Sequence, residues 1–188
     1  MRDERIIIVG TGSSMLWKEN GYLIDEFDIV VRLNNYAILG YEKYVGKRRG
    51  YHFRPYNIRN TSHPLLLDEH HELFERAILL PPGKKRFEKV CVELPKYKNI
   101  EHISWDEYKT YCNITGCGMP STGICAVLYF TKRSKDVTVV GLDSLQGLTS
   151  DTEYGHYYSD KKWNQTKRRF HSFDKERKAL ASMKVKQL

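Results

Sequence analysis

Two stretches of the chain are apolar at consecutive positions, RIIIVG over residues 5–10 and VTVVGL over residues 137–142. A β-branched run with no polar face, closed by glycine, predicts a strand buried on both sides. FDIVVRL (residues 27–33) predicts another strand, and GYHFR (50–54) a further one ended by Pro55. Shorter runs at 77–80 and 99–103 predict two more.

Between the strands the period changes. Leu65, Leu66, Leu67, Leu73 and Phe74, with acids and histidines between them, predict a surface helix over 64–76. Ser104 followed by Glu107 is a capping box, predicting a short helix through Tyr111, and STGICAVLYFT (121–131) predicts an apolar helix. Strands alternating with helices give an α/β class, a single Rossmann-like, doubly wound and mostly parallel sheet with helices on both faces. No repeat or linker divides the chain, so residues 1–188 are expected to form one domain.

Composition narrows this picture only a little. The chain is 40% hydrophobic and 29% charged, and no apolar run approaches the roughly 18 residues of a membrane span. Arg2, Asp3, Glu4 and Arg5 precede an apolar burst too short for a signal sequence. The four cysteines, Cys91, Cys112, Cys117 and Cys125, form no CxxC pair. A cytoplasmic protein with reduced thiols is expected.

The net charge of +8 lies entirely in the last 28 residues, where ten Lys/Arg face two acids. Such a segment suits an anionic substrate, peripheral contact with an anionic membrane at its inner face, or a solvated helix face. Nucleic acid is not expected, because Lys167, Arg168 and Arg169 run directly into His171 and the helix start at Ser172 and Asp174.

Candidate chemistry sits at the strand ends. VGTGSS follows the first buried strand, where backbone N–H groups of a helix start favour negative oxygens. The dinucleotide fingerprint needs a third glycine, and position 15 is methionine. PSTG (120–123) is a second helix start of this kind, with Ser121 or Thr122 as cap and Gly123 open to a ligand. In a doubly wound sheet both turns converge on one crevice, joined by Asn34 and Asn35 at the end of FDIVVRLNN. DEHHE (68–72) reads as a solvated face, no D-x-D triplet occurs, and no metal is expected.

Taken in order, these blocks resemble the sialyltransferases and related CMP-sugar glycosyltransferases. Residues 6–35 are similar to the large sialyl motif, PSTGICAVLYFTKRSKDVTVVGLD to the small motif, HYYS to the third, and His171 with Glu176 to the H-x4-E signature. The short middle region and the GLD ending resemble compact bacterial members. Thr11, followed by Gly12, stands where the family's V-G-N-S turn has asparagine, and 188 residues is short for the family.

The resemblance implies the sialyltransferase variant of the GT-A fold. It implies inverting, metal-independent transfer of sialic acid, or of a related keto-sugar acid such as Kdo, from a CMP-sugar donor to a glycan acceptor hydroxyl. The alternative is a degenerate, non-catalytic module that binds CMP or polyanions. By the same resemblance His171 is the general base, with Glu176 orienting its ring or closing the helix start. His156, Tyr157 and Tyr158 serve the departing phosphate. CMP is held by Gly10, Thr11, Gly12, Ser13, Asn34, Ser121, Thr122 and Gly123. No cofactor is implied, the CMP-sugar being a substrate.

Overall fold

The computed structural model describes residues 4–55, 75–81, 99–146, 154–157, 159–162 and 171–188. The helix expected over 64–76 lies almost wholly outside the described residues, as do DEHHE, Cys91, Tyr158 and the basic run Lys167–Arg169.

Chain order runs β1 (Ile6–Val9), a 3-10 turn (Ser13–Trp17), α1 (Gly21–Asp25), β2 (Ile29–Leu33), α2 (Glu42–Val45) and β3 (Tyr51–Pro55). Then come β4 (Arg76–Leu80), β5 (Ile100–His102), α3 (Trp105–Thr115), α4 (Thr122–Thr131), β6 (Val137–Val140) and α5 (Asp143–Gln146). The chain closes with a hairpin of β7 (Tyr154–His156) and β8 (Ser159–Lys162), α6 (Phe173–Ala181) and β9 (Lys186–Gln187).

Seven strands form one sheet in the order β5-β4-β3-β2-β1-β6-β9, and every neighbouring pair is parallel. The chain winds outward from β1 to β5, then returns to place β6 on the other side of β1. That reversal makes the carboxyl ends of β1 and β6 the topological switch point, where open α/β sheets bind ligands.

Alternation along each strand explains why continuous apolar runs were needed. Ile6, Ile8, Val31, Leu33, Val137 and Val139 face α4 and α6, while Ile7, Val9, Val30 and Val140 face the 3-10 turn, α1 and α2. Helix α4 has to be apolar all round, since Ile124 through Phe130 are buried without interruption, with Phe53 packed edge-on against Tyr129.

Several boundaries move for physical reasons. Ser104 caps α3 as expected, its Oγ accepting from the Glu107 N–H at 3.1 Å, but the helix runs four residues past Tyr111 to Thr115. It stops at Gly116, whose φ of 63° is the left-handed turn that ends helices. Strand β2 begins at Ile29, because Asp28 instead receives the Arg5 N–H at 2.8 Å. Pro55 closes β3 from within.

Arg32, only 1% exposed in the middle of β2, is the one large charge at the sheet centre among the described residues. Its guanidinium donates to the Val45 carbonyl at 2.6 Å and the Arg48 carbonyl at 2.6 and 3.1 Å. Burial lowers its pKa, yet guanidinium stays charged, so these carbonyls stand in for lost water and tie the α2–β3 connection to the sheet.

Candidate active site

A cleft of about 180 Å³ opens at the carboxyl ends of β1, β2 and β6. Residues from every motif block meet there: Gly10, Thr11, Gly12 and Asn34; Ser121, Thr122 and Gly123; His156; and His171. They come from turns up to 161 positions apart, counted from residue 10 to residue 171.

The turn after β1 continues alongside β6. Gly10 N–H donates to the Val140 carbonyl at 2.8 Å and Gly12 N–H to the Gly141 carbonyl at 2.9 Å. A Cβ on Gly10 would lie 2.1 Å from the Gly141 oxygen, and one on Gly12 would lie 2.1 Å from Asp143 Oδ1. These glycines are required by close packing of the protein on itself.

The 3-10 turn that follows is closed by a carboxylate. Ser14 N–H donates to Asp143 Oδ2 at 3.0 Å, Ser14 Oγ–H to Asp143 Oδ1, and Ser13 Oγ–H reaches Oδ2 at the 3.5 Å limit. Of the groups expected to hold the donor, the Ser13 hydroxyl and the Gly10 and Gly12 amides thus have partners within the fold, while the Thr11 and Ser13 N–H groups have none among the described residues. Ser13 turns to Asp143 and does not line the cleft, and the N–H groups of Gly10, Gly12 and Ser14 are already used.

The start of α4 is arranged differently. Ser121 is its N-cap, in extended backbone at φ −66°. Behind it stands Glu176, fully buried, which accepts the Ser121 N–H at 3.0 Å and also the Ser121 hydroxyl. Thr122 and Gly123 follow in the first turn, where a helix offers no acceptor, and among the described residues their N–H groups have no protein partner. Both residues line the cleft.

Glu176 was expected to orient the His171 ring or close its own helix start. Both its oxygens go instead to Ser121, so it closes the start of α4, an element 55 positions away. Burial raises its pKa, offset in part by the Ser121 bonds and the His171 charge. The His171 ring is aligned by the Met119 carbonyl, 3.0 Å from Nδ1. A carbonyl only accepts, so Nδ1 carries the proton, and in the neutral ring Nε2 holds the lone pair.

His156 stands on β7 with Nδ1 2.9 Å from Thr11 Oγ1. Tyr157, expected at the phosphate, is 6% exposed and turns into the core beneath the 3-10 turn. Its hydroxyl donates to the Ala37 carbonyl at 2.5 Å and accepts the Ala37 N–H at 3.1 Å, with Tyr41 edge-on at 5.1 Å. An aromatic ring needs this much apolar contact when buried, and its hydroxyl needs partners, which Ala37 supplies.

Asn34 takes a positive φ of 51°, a conformation asparagine tolerates, at the exit of β2. Its N–H donates to the Phe53 carbonyl at 3.0 Å, and its carbonyl accepts from His52 Nε2 at 2.6 Å. Burial pushes His52 down to about 4, so it is neutral at pH 7 and acts as a donor bracing this turn.

Sequence reasoning missed His52, Asp143 and the apolar wall of Leu33, Leu142, Leu145 and Phe173. The GLD ending of a doubly buried strand was the available signal for Asp143, because it leaves the sheet at the edge shared with VGTGSS. Among the described residues, no group of three or more His, Cys, Asp or Glu could hold a metal, and no helix is long and apolar enough to cross a membrane.

Comparison with known proteins adds to this geometry. A model of glycosyltransferase family 29 (sialyltransferase) matches residues 3–99, just over half of the chain. The human CMP-N-acetylneuraminate-beta-1,4-galactoside alpha-2,3-sialyltransferase is 48% identical over 48 residues, 26% of this chain and 13% of that one. The mouse CMP-N-acetylneuraminate-beta-galactosamide-alpha-2,3-sialyltransferase 2 is 24% identical over 177 residues, 85% of this chain and 47% of that one. The chain thus spans about half the length of this relative, and these relatives are mammalian rather than compact bacterial enzymes. A crystal structure of a mammalian sialyltransferase in complex with Gal-beta-1-3GalNAc-ortho-nitrophenol superposes with a TM-score of 0.73 at 20% identity, covering 99% of this chain and 69% of that one. That likeness shows the fold.

Proposed function

The chain belongs to glycosyltransferase family 29, the sialyltransferases, and from that premise we propose that it moves sialic acid from a CMP-sugar to a glycan hydroxyl with inversion. The observation that carries the proposal is the meeting of Thr11, Asn34, Thr122, Gly123, His156 and His171 at one cleft on the switch point.

In this reading the cytidylate lies between the exit of β2 and the start of α4. The N–H groups of Thr122 and Gly123, without a partner among the described residues, take its oxygens, helped by the positive end of the α4 dipole. The side chain of Asn34 offers both a donor and an acceptor to a sugar or base edge. His171 is the base, because its Nδ1–H is committed to Met119 and leaves Nε2 to receive a proton.

The step balances as follows. The acceptor oxygen forms a bond to the anomeric carbon from the face opposite CMP, and its proton passes to His171 Nε2. The bond between the anomeric carbon and the phosphate oxygen breaks, and CMP leaves with the electron pair. Hydrogen-bond donors at the phosphate then do work that a metal does in other nucleotide-sugar transferases. The absence of a D-x-D triplet supports a metal-independent reaction.

The relatives' names point to a galactoside as the first acceptor to try. The test follows CMP release from CMP-N-acetylneuraminate and CMP-Kdo, with and without β-galactosides, in the presence of a chelator. Acceptor-dependent release from the first donor that survives chelation is expected, with His171→Ala lowering kcat by about 10²–10⁴-fold while CMP still binds. Release from neither donor, or a metal requirement, contradicts the proposal; preference for CMP-Kdo changes the sugar and keeps the site.

A further inference from the structure

We infer that Thr11 is a positioning residue that fixes His156 with its proton on Nε2, the tautomer opposite to that of His171. The inference rests on the transferase reading for its consequence, and on geometry alone for the tautomer.

The two cleft histidines are each held through Nδ1, by different kinds of partner. His171 faces a carbonyl, which can only accept. His156 faces a hydroxyl, which can do either. What decides the direction is the hydroxyl's own need. Thr11 is 9% exposed, and among the described residues its hydroxyl has His156 Nδ1 as its protein partner. A buried O–H without an acceptor is costly, and donation to Nδ1 satisfies it. Nδ1 then carries the lone pair, so the ring proton sits on Nε2.

The surroundings keep this pairing in place. Tyr157 N–H donates to the Thr11 carbonyl at 3.1 Å, so residues 156 and 157 are tied to Thr11 by side chain and backbone together. The Tyr157 hydroxyl is itself anchored on Ala37. The end of β7 is thereby fixed against the turn after β1, and the ring has little freedom to present its other edge.

The chemical consequence is a division of labour between two neutral imidazoles. His171 offers a lone pair to the acceptor hydroxyl. His156 offers an N–H to the phosphate oxygen that gains negative charge as CMP departs, and needs no extra proton to do so. This also gives a physical role to Thr11, the position at which the chain departs from the V-G-N-S pattern.

The test uses the full chain labelled with 15N-histidine, with long-range 1H–15N correlations at neutral pH. The expected spectra place the His156 proton on Nε2 in the native protein and in Thr11→Ser, a mixture of tautomers in Thr11→Val, and the His171 proton on Nδ1 throughout. In turnover of a CMP-sugar, Thr11→Val lowers kcat by about tenfold or more and gains a falling limb at high pH, because only protonated or Nε2–H rings still donate. Thr11→Ser restores both rate and profile. A native His156 protonated on Nδ1, or a Thr11→Val protein that keeps the Nε2–H form and the native rate, overturns the inference. If the native spectra are as expected but no CMP-sugar is turned over, the tautomer assignment stands and the transferase reading falls.

Discussion

The turn after β1 and the start of α4 flank the same cleft and begin alike, each with glycine, serine and threonine ahead of a helical turn, yet they spend their backbone donors differently. At the first, Asp143 takes the Ser14 N–H and the strand end of β6 takes those of Gly10 and Gly12, so these three amides serve the fold, while the Thr11 and Ser13 N–H groups have no partner among the described residues. At the second, Glu176 takes only the cap residue Ser121, and the next two amides are left to the cleft. Two turns of similar composition therefore divide their amides differently. The deciding groups are carboxylates distant in sequence, 129 positions from Ser14 and 55 from Ser121.

The largest expected effect comes from Gly10→Ala. Its Cβ would meet a backbone oxygen at 2.1 Å between paired strands that cannot part, and a cost above about 4 kcal/mol is expected, read as loss of folded protein in denaturant unfolding. Glu176→Ala comes next, at about 2–4 kcal/mol, because it empties a fully buried site and takes away the acceptor of the half-buried Ser121 N–H and hydroxyl; CMP affinity should fall with it, since α4 loses its fixed start.

Asp143→Ala should cost about 1–3 kcal/mol, yet leave CMP affinity intact at temperatures where the fold survives. Isothermal titration of the two alanine variants is the sharpest check on the comparison, and loss of CMP binding in a folded Asp143→Ala protein would break it. Ser121→Ala, which removes a cap, should cost about 1 kcal/mol.

The smallest effect is on pH dependence. Burial raises Glu176 above its ordinary 4.5, so the folded protein keeps a proton that the unfolded chain has already released. The stabilisation from the protonated form is present below 4.5 and is lost as pH rises through the folded value. Melting temperatures should therefore decline for the native protein relative to Glu176→Gln across that window, and parallel curves would remove the buried carboxyl from the account.

The sheet was legible in the sequence to the extent that burial alone dictates residue type. RIIIVG and VTVVGL have no polar face, and the structure buries both faces of β1 and β6. The polar pair Lys186–Gln187 forms an edge strand held by backbone bonds, so nothing in its side chains announces β9. That His171, Asn34, Thr122 and Gly123 line one cleft was legible because chain position at a strand or helix end predicts where a residue faces. Tyr157 was not, since a tyrosine in a short connection looks the same whether its hydroxyl meets a phosphate or the Ala37 backbone. Glu176 and Asp143 were misjudged or missed for a related reason, because a cap supplied from another element has no local spacing to betray it.

The most direct measurement is a CMP titration of the 15N-labelled protein without divalent ions, following backbone amides on both sides of the cleft. The account predicts that Thr122 and Gly123 shift and gain protection from exchange while Ser14, held by Asp143, stays where it was. Saturable binding that leaves Thr122 and Gly123 unmoved, or that moves Ser14 in their place, would contradict it.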